Sequence, residues 1–414
     1  MSYIYRNMQA RVEFLLKKFP AVAILGVRQS GKTTLAKMAV GSDWAYFDLE
    51  KGEDYDFVTG DFSFFFREYP RKVIIDEAQE SQQFFSELRS VIDEHREEKG
   101  RFIITGSSSP DLSSRLSETL AGRVAIIELG TLKMNERYGV PLSPLYRIMH
   151  EVPLKQQFAD ILQLKPHCDH DAVIRHFLSG GYPEPVLSKD KAFYVQWMDN
   201  YLRTYVQRDV GRLFPGLNST DYRRFVSILA ELSGSIINRA EIARTLSVSQ
   251  TTVRNYLDIA HGTFMWRNVP GFHKAKSKSL TRMPRGYLRD AGLTHHILKV
   301  NDRERLLRHP GTGITFEAFV IEEIINGFHA VGAVQFDYYY FRTKNGAEVD
   351  LIIDTPQGII PVEIKFGIST KKNQLYSLTQ FINANNCPYG LLLNNSDTVR
   401  RLTEKIVQIP AGLL

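Results

Sequence analysis

Gly26-Val27-Arg28-Gln29-Ser30-Gly31-Lys32-Thr33 spells a complete G-x-x-x-x-G-K-T phosphate-binding loop. The apolar run Ala21-Val22-Ala23-Ile24-Leu25 leads into it and Thr34-Leu35-Ala36-Lys37-Met38-Ala39 leads out. The motif therefore stands between a buried strand and the start of a helix, the context that gives it meaning. Glycines let the backbone curl until successive N–H groups point inward, and the helix N-terminus adds positive potential for phosphate. In this reading Gly26, Gln29, Ser30, Gly31, Lys32, Thr33 and Thr34 form the nucleotide cradle. Lys32 reaches the β- and γ-phosphates and the Thr33 hydroxyl ligates Mg²⁺.

Around the loop, apolar runs at 21–25, 45–49, 72–76, 101–105 and 123–129 alternate with longer polar or amphipathic stretches. Such alternation predicts a parallel sheet covered by helices. The third run ends in Asp76-Glu77, the second half expected of an ATPase. Asp76 would hold Mg²⁺, directly or through water, and Glu77 would orient or deprotonate the attacking water. The fourth run ends at Thr105, whose hydroxyl would face the γ-phosphate if its strand lies between the other two; Ser107 is next in line, and a plain Ser-rich loop is the alternative. Arg123, just before the fifth run, is either an arginine finger, in cis or on a neighbouring subunit, or a surface ion-pair partner.

A chain of 414 residues is too long for one ordinary core and predicts two to four domains. Hydrophobic content of 43% and charged content of 24% are those of a globular protein in water. No uncharged apolar run reaches the roughly 18 residues of a membrane span, and Met1-Ser2-Tyr3-Ile4-Tyr5-Arg6 lacks a leader's apolar core. Two distant cysteines, Cys168 and Cys387, exclude a disulfide framework and point to the interior of a cell. The net charge of +6 is uneven: ten Lys/Arg against three acids lie between Gly271 and Pro310, a composition that suits a phosphate backbone or a solvated linker.

The segments GVRQSGKTTL, VIIDEAQ, IITGSSS and LAGRVAIIEL resemble a widespread prokaryotic family of AAA-type P-loop ATPases with a C-terminal domain of unknown function. The resemblance implies ATPase activity, a cytoplasmic prokaryotic setting, and an AAA-like strand arrangement with an extra strand between the two Walker strands. Where that family usually reads Pro-Leu-Ser before an acid, this chain reads Gly130-Thr131-Leu132-Lys133-Met134-Asn135-Glu136.

Residues 141–225 read as a helical connector broken by prolines. The crowded His167-Cys168-Asp169-His170 cannot converge on one ion without severe backbone distortion. Next, Ile242, Ala243 and Leu246 line one short helix, and Val253, Tyr256 and Leu257 line a second, with Ser249 as its N-cap. This is a helix-turn-helix pattern, and the strand-like Thr263–Arg267 suggests a wing. Gln250, Thr251 and Arg254 would face a DNA groove, unless the unit only packs against protein.

The last part holds a second constellation. Asp350 lies in one strand, a turn follows at Pro356-Gln357-Gly358, and the next strand carries Glu363 and Lys365, which project from one face. Two carboxylates can share a divalent cation while the lysine positions or activates a water for attack on phosphorus. Glu317, on a preceding helix, completes the set as a further metal ligand. Residues 280–400 resemble the D…E-x-K core of the restriction-endonuclease-like superfamily, which implies a mixed sheet flanked by helices and Mg²⁺-dependent phosphodiester cleavage. The alternative is ordinary salt bridges on a hairpin, or a fold kept only for binding.

The expected organisation is thus an α/β multidomain chain: an AAA-like P-loop ATPase domain at 1–140, a helical connector at 141–225, a winged helix at 226–275, and a restriction-endonuclease-like α/β domain at 276–414. The expected ligands are ATP and Mg²⁺, with DNA as partner, no membrane, and a homo-oligomer completing sites in trans. An ATP-switched DNA-binding or regulatory protein with an inactive rear domain is the alternative.

Overall fold

In the computed structural model of the chain, the five apolar runs become strands β1 (Ala21–Gly26), β2 (Ala45–Asp48), β3 (Val73–Asp76), β4 (Phe102–Ser107) and β5 (Val124–Leu129). They form one parallel sheet in the order β2-β3-β4-β1-β5. The extra strand β4 therefore lies between the strand of the phosphate loop and the strand that ends in Asp76, as the AAA resemblance implies. β1, β3 and most of β4 are buried throughout, so apolar residues fill both faces rather than alternating. One core beside the sheet is made by Leu25, Ile75 and Ile104 with Phe65, Phe84 and Leu88.

The structure describes residues 3–107, 116, 118–188, 190–211, 214, 216–273, 283–343, 346–369 and 371–414. They fall into two compact units, residues 1–131 with 258–264, and residues 132–257 with 265–414. Among the described residues no helix is long and apolar enough to cross a membrane.

The second unit opens with helices, as the periodicity of 141–225 predicts: Leu145–Glu151, Leu154–Leu162, His170–Ser179, Pro183–Leu187, Lys191–Thr204 and Ser219–Glu231. Asp169, part of the crowded His-Cys-Asp-His run, accepts the Ala172 N–H at 2.7 Å and so acts as a helix N-cap. Helices Arg239–Leu246 and Gln250–Gly262 follow. Ser249 Oγ accepts the Thr252 N–H at 3.0 Å, the expected cap. The strand after them is β6 (Trp266–Val269), which starts later than the expected Thr263, and it pairs antiparallel with β7 (Arg285–Leu288). The pair straddles the expected domain boundary at 275/276.

The C-terminal sheet contains β8 (Asp337–Arg342), β9 (Glu348–Thr355), β10 (Gly358–Ile364), β11 (Gly390–Asn394), β12 (Arg400–Arg401) and β13 (Ile406–Pro410), in the order β12-β13-β11-β10-β9-β8. β8, β9 and β10 form an antiparallel meander, and β11 runs parallel to β10 after the Tyr376–Ala384 helix. Leu351, Ile353, Val362 and Leu393 share a core with Phe316, Val320 and Ile324 of the long helix Thr312–Ala330. Ile352 and Leu392 instead meet Leu378 and Phe381 of the Tyr376–Ala384 helix. The strands are thus sandwiched, consistent with side chains alternating across a sheet.

The Thr312–Ala330 helix is fixed by two consecutive buried acids, Glu322 and Glu323. Glu322 is held by Arg267 of β6 and by Arg289, whose Nε lies 3.2 Å from Oε2. Glu323 accepts from Lys133 Nζ at 2.7 Å and from the Met134 N–H at 3.1 Å, and His176 Nε2 stands 3.5 Å away. Burial works against the Glu323 charge, but Lys133 and His176 outweigh it and hold the carboxyl down at about 2. A carboxyl depressed in the folded chain contributes stability that is present above its ordinary value of 4.5 and is lost as pH falls through about 2. Lys133→Met should therefore cost about 3–5 kcal/mol near neutral pH, because it strands a buried charge. Denaturant melts of both proteins should converge as the pH is lowered across that window.

Candidate functional site

The phosphate loop takes its shape from two glycines and an unusual Gln29. Gly31 and Gln29 have φ of 92° and 64°, the left-handed region that turns successive N–H groups inward. Gly26 has no room for a side chain, since a Cβ would lie 2.1 Å from the Leu129 carbonyl oxygen of β5. The Lys32 ammonium is buried and donates to the Gly26 and Val27 carbonyls at 3.3 and 3.2 Å. Ser30 Oγ is buried with no hydrogen-bond partner among the described residues. A curled loop with a buried ammonium and an orphaned hydroxyl fits a polyphosphate. Thr34 follows on the first turn of the Lys32–Met38 helix.

Asp76 is the convergence point. It is buried, and it accepts from Thr33 Oγ1 at 2.7 Å, from the Tyr46 hydroxyl at 2.8 Å, and from the Thr105 hydroxyl. Burial first, then Asp76, raises the Tyr46 hydroxyl well above its ordinary pKa, so it remains a donor. The adjacent Thr33 and Asp76 oxygens are the hard donors that suit Mg²⁺. Thr105, on the interposed β4, donates to Asp76, where the sequence suggested a hydroxyl facing the γ-phosphate; the side chain of Ser107 lies outside the described residues. Glu77 adopts φ 50°, a costly backbone for a non-glycine residue, and its Oε2 accepts from Gln79 Nε2 at 2.6 Å.

Two placements differ from expectation. Arg123 precedes β5, whose Val124 is level with Ala21, so it stands at the opposite end of the strands from the loop after Gly26. There it forks onto Asp93 at 2.6 and 2.8 Å, which removes the cis arginine-finger reading and matches the ion-pair alternative. Conversely, sequence reasoning passed over Arg6. Its buried guanidinium donates to the Ser30 carbonyl at 2.7 Å, and to those of Gly130 and Thr131 at 2.9 and 3.2 Å. An isolated arginine before an amphipathic helix carries no signal of such a role.

In the second unit, the β9–β10 register pairs Val362 with Leu351, which sets Glu363 level with Asp350. Asp350 Oδ2 accepts the Ile364 N–H at 2.8 Å. Lys365, one residue past β10, places Nζ 2.6 Å from Glu363 Oε1 and 3.5 Å from Asp350 Oδ2. Burial, then Asp350, pushes both Glu317 and Glu363 up to about 8. Burial opposes the Lys365 charge, yet Asp350 and Glu363 outweigh it and hold the ammonium above its usual value. Glu363 Oε2 has no partner among the described residues, an orphaned oxygen that fits a divalent cation. The expected metal set of Glu317, Asp350 and Glu363 needs correction, however. Among the described residues no three His, Cys, Asp or Glu are arranged to hold a metal, and the Lys365 ammonium occupies the space between two of the acids. Arg285 of β7 also acts on Glu317 and Glu363 while pairing with Glu348; the sequence offered it only as one member of a basic stretch.

Gln250, Thr251 and Arg254 are exposed, whereas Ile242, Ala243, Leu246, Val253 and Tyr256 are buried. Lys274, Lys276, Lys278 and Arg282 of the basic stretch lie outside the described residues.

Residues 18–138 match the model of an AAA domain, 170–304 a domain of unknown function (DUF8612), and 312–414 another domain of unknown function (DUF4143). Among solved structures, the Walker-type ATPase PABY2304 of Pyrococcus abyssi is similar at 14% identity and a TM-score of 0.42, covering 72% of this chain and 96% of that one. Two uncharacterized mycobacterial proteins, Rv2008c of Mycobacterium tuberculosis and Mb2031c of Mycobacterium bovis, are each 31% identical over 361 residues, which is 87% of this chain and 73% of theirs. This chain belongs to the family that includes Rv2008c and Mb2031c, and its phosphate loop lies in an AAA-type ATPase domain.

Proposed function

We propose that the chain binds and hydrolyses ATP at the Lys32–Asp76–Glu77 site, and that its second unit carries a nuclease-like, Mg²⁺-dependent site that processes DNA. The observation that carries the first half is the convergence of Thr33, Thr105 and Tyr46 on Asp76 beside the phosphate loop. Lys32 binds the β- and γ-phosphates, and Thr33 and Asp76 are the residues that would hold Mg²⁺, which when bound offsets phosphate charge. Glu77 orients the attacking water and takes its proton. Thr105 holds the Asp76 carboxylate in place.

For the second unit, the supporting observation is the succession of long helix, three-stranded meander, helix and parallel strand, with Asp350 level with Glu363 and Lys365 beside both. That succession supports reading the unit as the kind of fold that the D…E-x-K resemblance implies. Asp350 and Glu363 would hold the cation, and Lys365 would position the attacking water. The helices Ser219–Glu231, Arg239–Leu246 and Gln250–Gly262 with the β6–β7 pair support a winged helix that presents Gln250, Thr251 and Arg254 to DNA. We further infer a cytoplasmic protein. One observation favours the regulatory alternative: the Lys365 ammonium already stands beside both acids, so a rear domain that binds DNA without cutting it is the second reading.

Lys32→Ala should abolish binding of a fluorescent ATP analogue. Glu77→Gln should leave that binding intact and lower the rate of phosphate release about 10²–10⁴-fold; equal rates in Glu77→Gln and the natural protein would refute the assignment of the base. With Mg²⁺ or Mn²⁺ the protein should nick supercoiled plasmid, and Asp350→Ala or Lys365→Ala should abolish the cut. Salt-sensitive DNA binding with no cleavage of any DNA would select the regulatory reading.

A further inference from the structure

The helices His170–Ser179, Pro183–Leu187 and Lys191–Thr204 border a cavity of about 340 Å³ in the second unit. None of its lining residues belongs to the phosphate loop or to the Asp350–Glu363–Lys365 group. Leu178, Val186 and Val300 give it apolar walls, and Arg137, Arg175 and Lys191 bring three cations to it. We propose that this cavity binds a small organic anion with an apolar body, its charged head on Arg137.

The charge around Arg137 carries the argument. Its Nη1 donates to Ser179 Oγ at 2.6 Å and stands 3.4 Å from His176 Nδ1. Neither contact supplies negative charge, and no ion pair is formed by Arg137 among the described residues, although salt bridges occupy many other arginines. Burial acts on it most strongly and lowers the guanidinium from its usual value; Tyr138 and Tyr194 oppose that effect, and the cation of Arg175 repels it. Among the described residues one acid lines the cavity, Asp190, and its Oδ1 is turned to a helix N-terminus, accepting the Ala192 and Phe193 N–H groups at 2.8 and 3.2 Å. A largely buried cation without a counter-charge is costly, and an anionic ligand with a forked oxygen pair is the partner that a guanidinium takes best.

Size narrows the ligand. Small-molecule cavities run from about 300 to 1,000 Å³, so this one sits at the low end and admits a compact acid rather than a folded partner. The apolar walls exclude inorganic phosphate as the best occupant and favour a carboxylate or sulfonate on an aliphatic or aromatic body.

Isothermal titration of the full chain with 2-naphthoate tests this. Saturable one-to-one binding is expected, undiminished in Lys32→Ala and weakened about tenfold or more by Arg137→Gln. Arg175→Glu, at the exposed rim, and Val186→Trp, which fills the cavity, should weaken it as well, and both stand in if Arg137→Gln does not fold. Absence of saturable binding overturns the proposal, as does loss of binding in Lys32→Ala, which would place the probe in the phosphate loop. Unchanged affinity in a folded Arg137→Gln, or in both other variants, also overturns it.

Discussion

A carboxylate removed from water must find donors or cations, and that constraint fixes the working parts of both units. Asp76 meets it with three hydroxyls, one from the phosphate-loop helix, one from β2 and one from β4. Glu322 and Glu323, side by side in a buried helix, meet it with cations from separate earlier stretches of the chain: Arg267 and Arg289 for one, Lys133 for the other. Glu363 meets it only in part, through one oxygen to Lys365. The contrast separates acids whose donors complete a scaffold from one whose remaining oxygen faces unfinished chemistry.

Much of the first unit was legible in the chain because its signals are local. A phosphate loop, an apolar run before it and an acid pair after another run need no distant partner to be recognised. The sheet order followed from the resemblance, and it placed Thr105 correctly between the two Walker strands. Arg123 and Arg6 show where local reading ends. Which end of a strand an arginine occupies, and which carbonyls it reaches 124 residues away, are set by tertiary packing alone.

In the second unit, the Asp350–Glu363 pairing was readable because a short turn fixes the register of a hairpin. Arg285 was not, since its strand reaches that site from across the expected boundary at 275/276. The Gly130–Glu136 stretch departs from the usual family wording, and Lys133 within it supplies the counter-ion for Glu323. The departure therefore bears on how the second unit holds its long helix.

Arg6 has a practical consequence for anyone dividing this chain. The AAA domain match begins at residue 18, twelve positions after the guanidinium that grips the Ser30, Gly130 and Thr131 carbonyls. A fragment trimmed to that border would keep every signature residue and discard the clamp that ties the loop to the end of the sheet. Any loss of function in such a fragment would then describe the cut, not the intact chain.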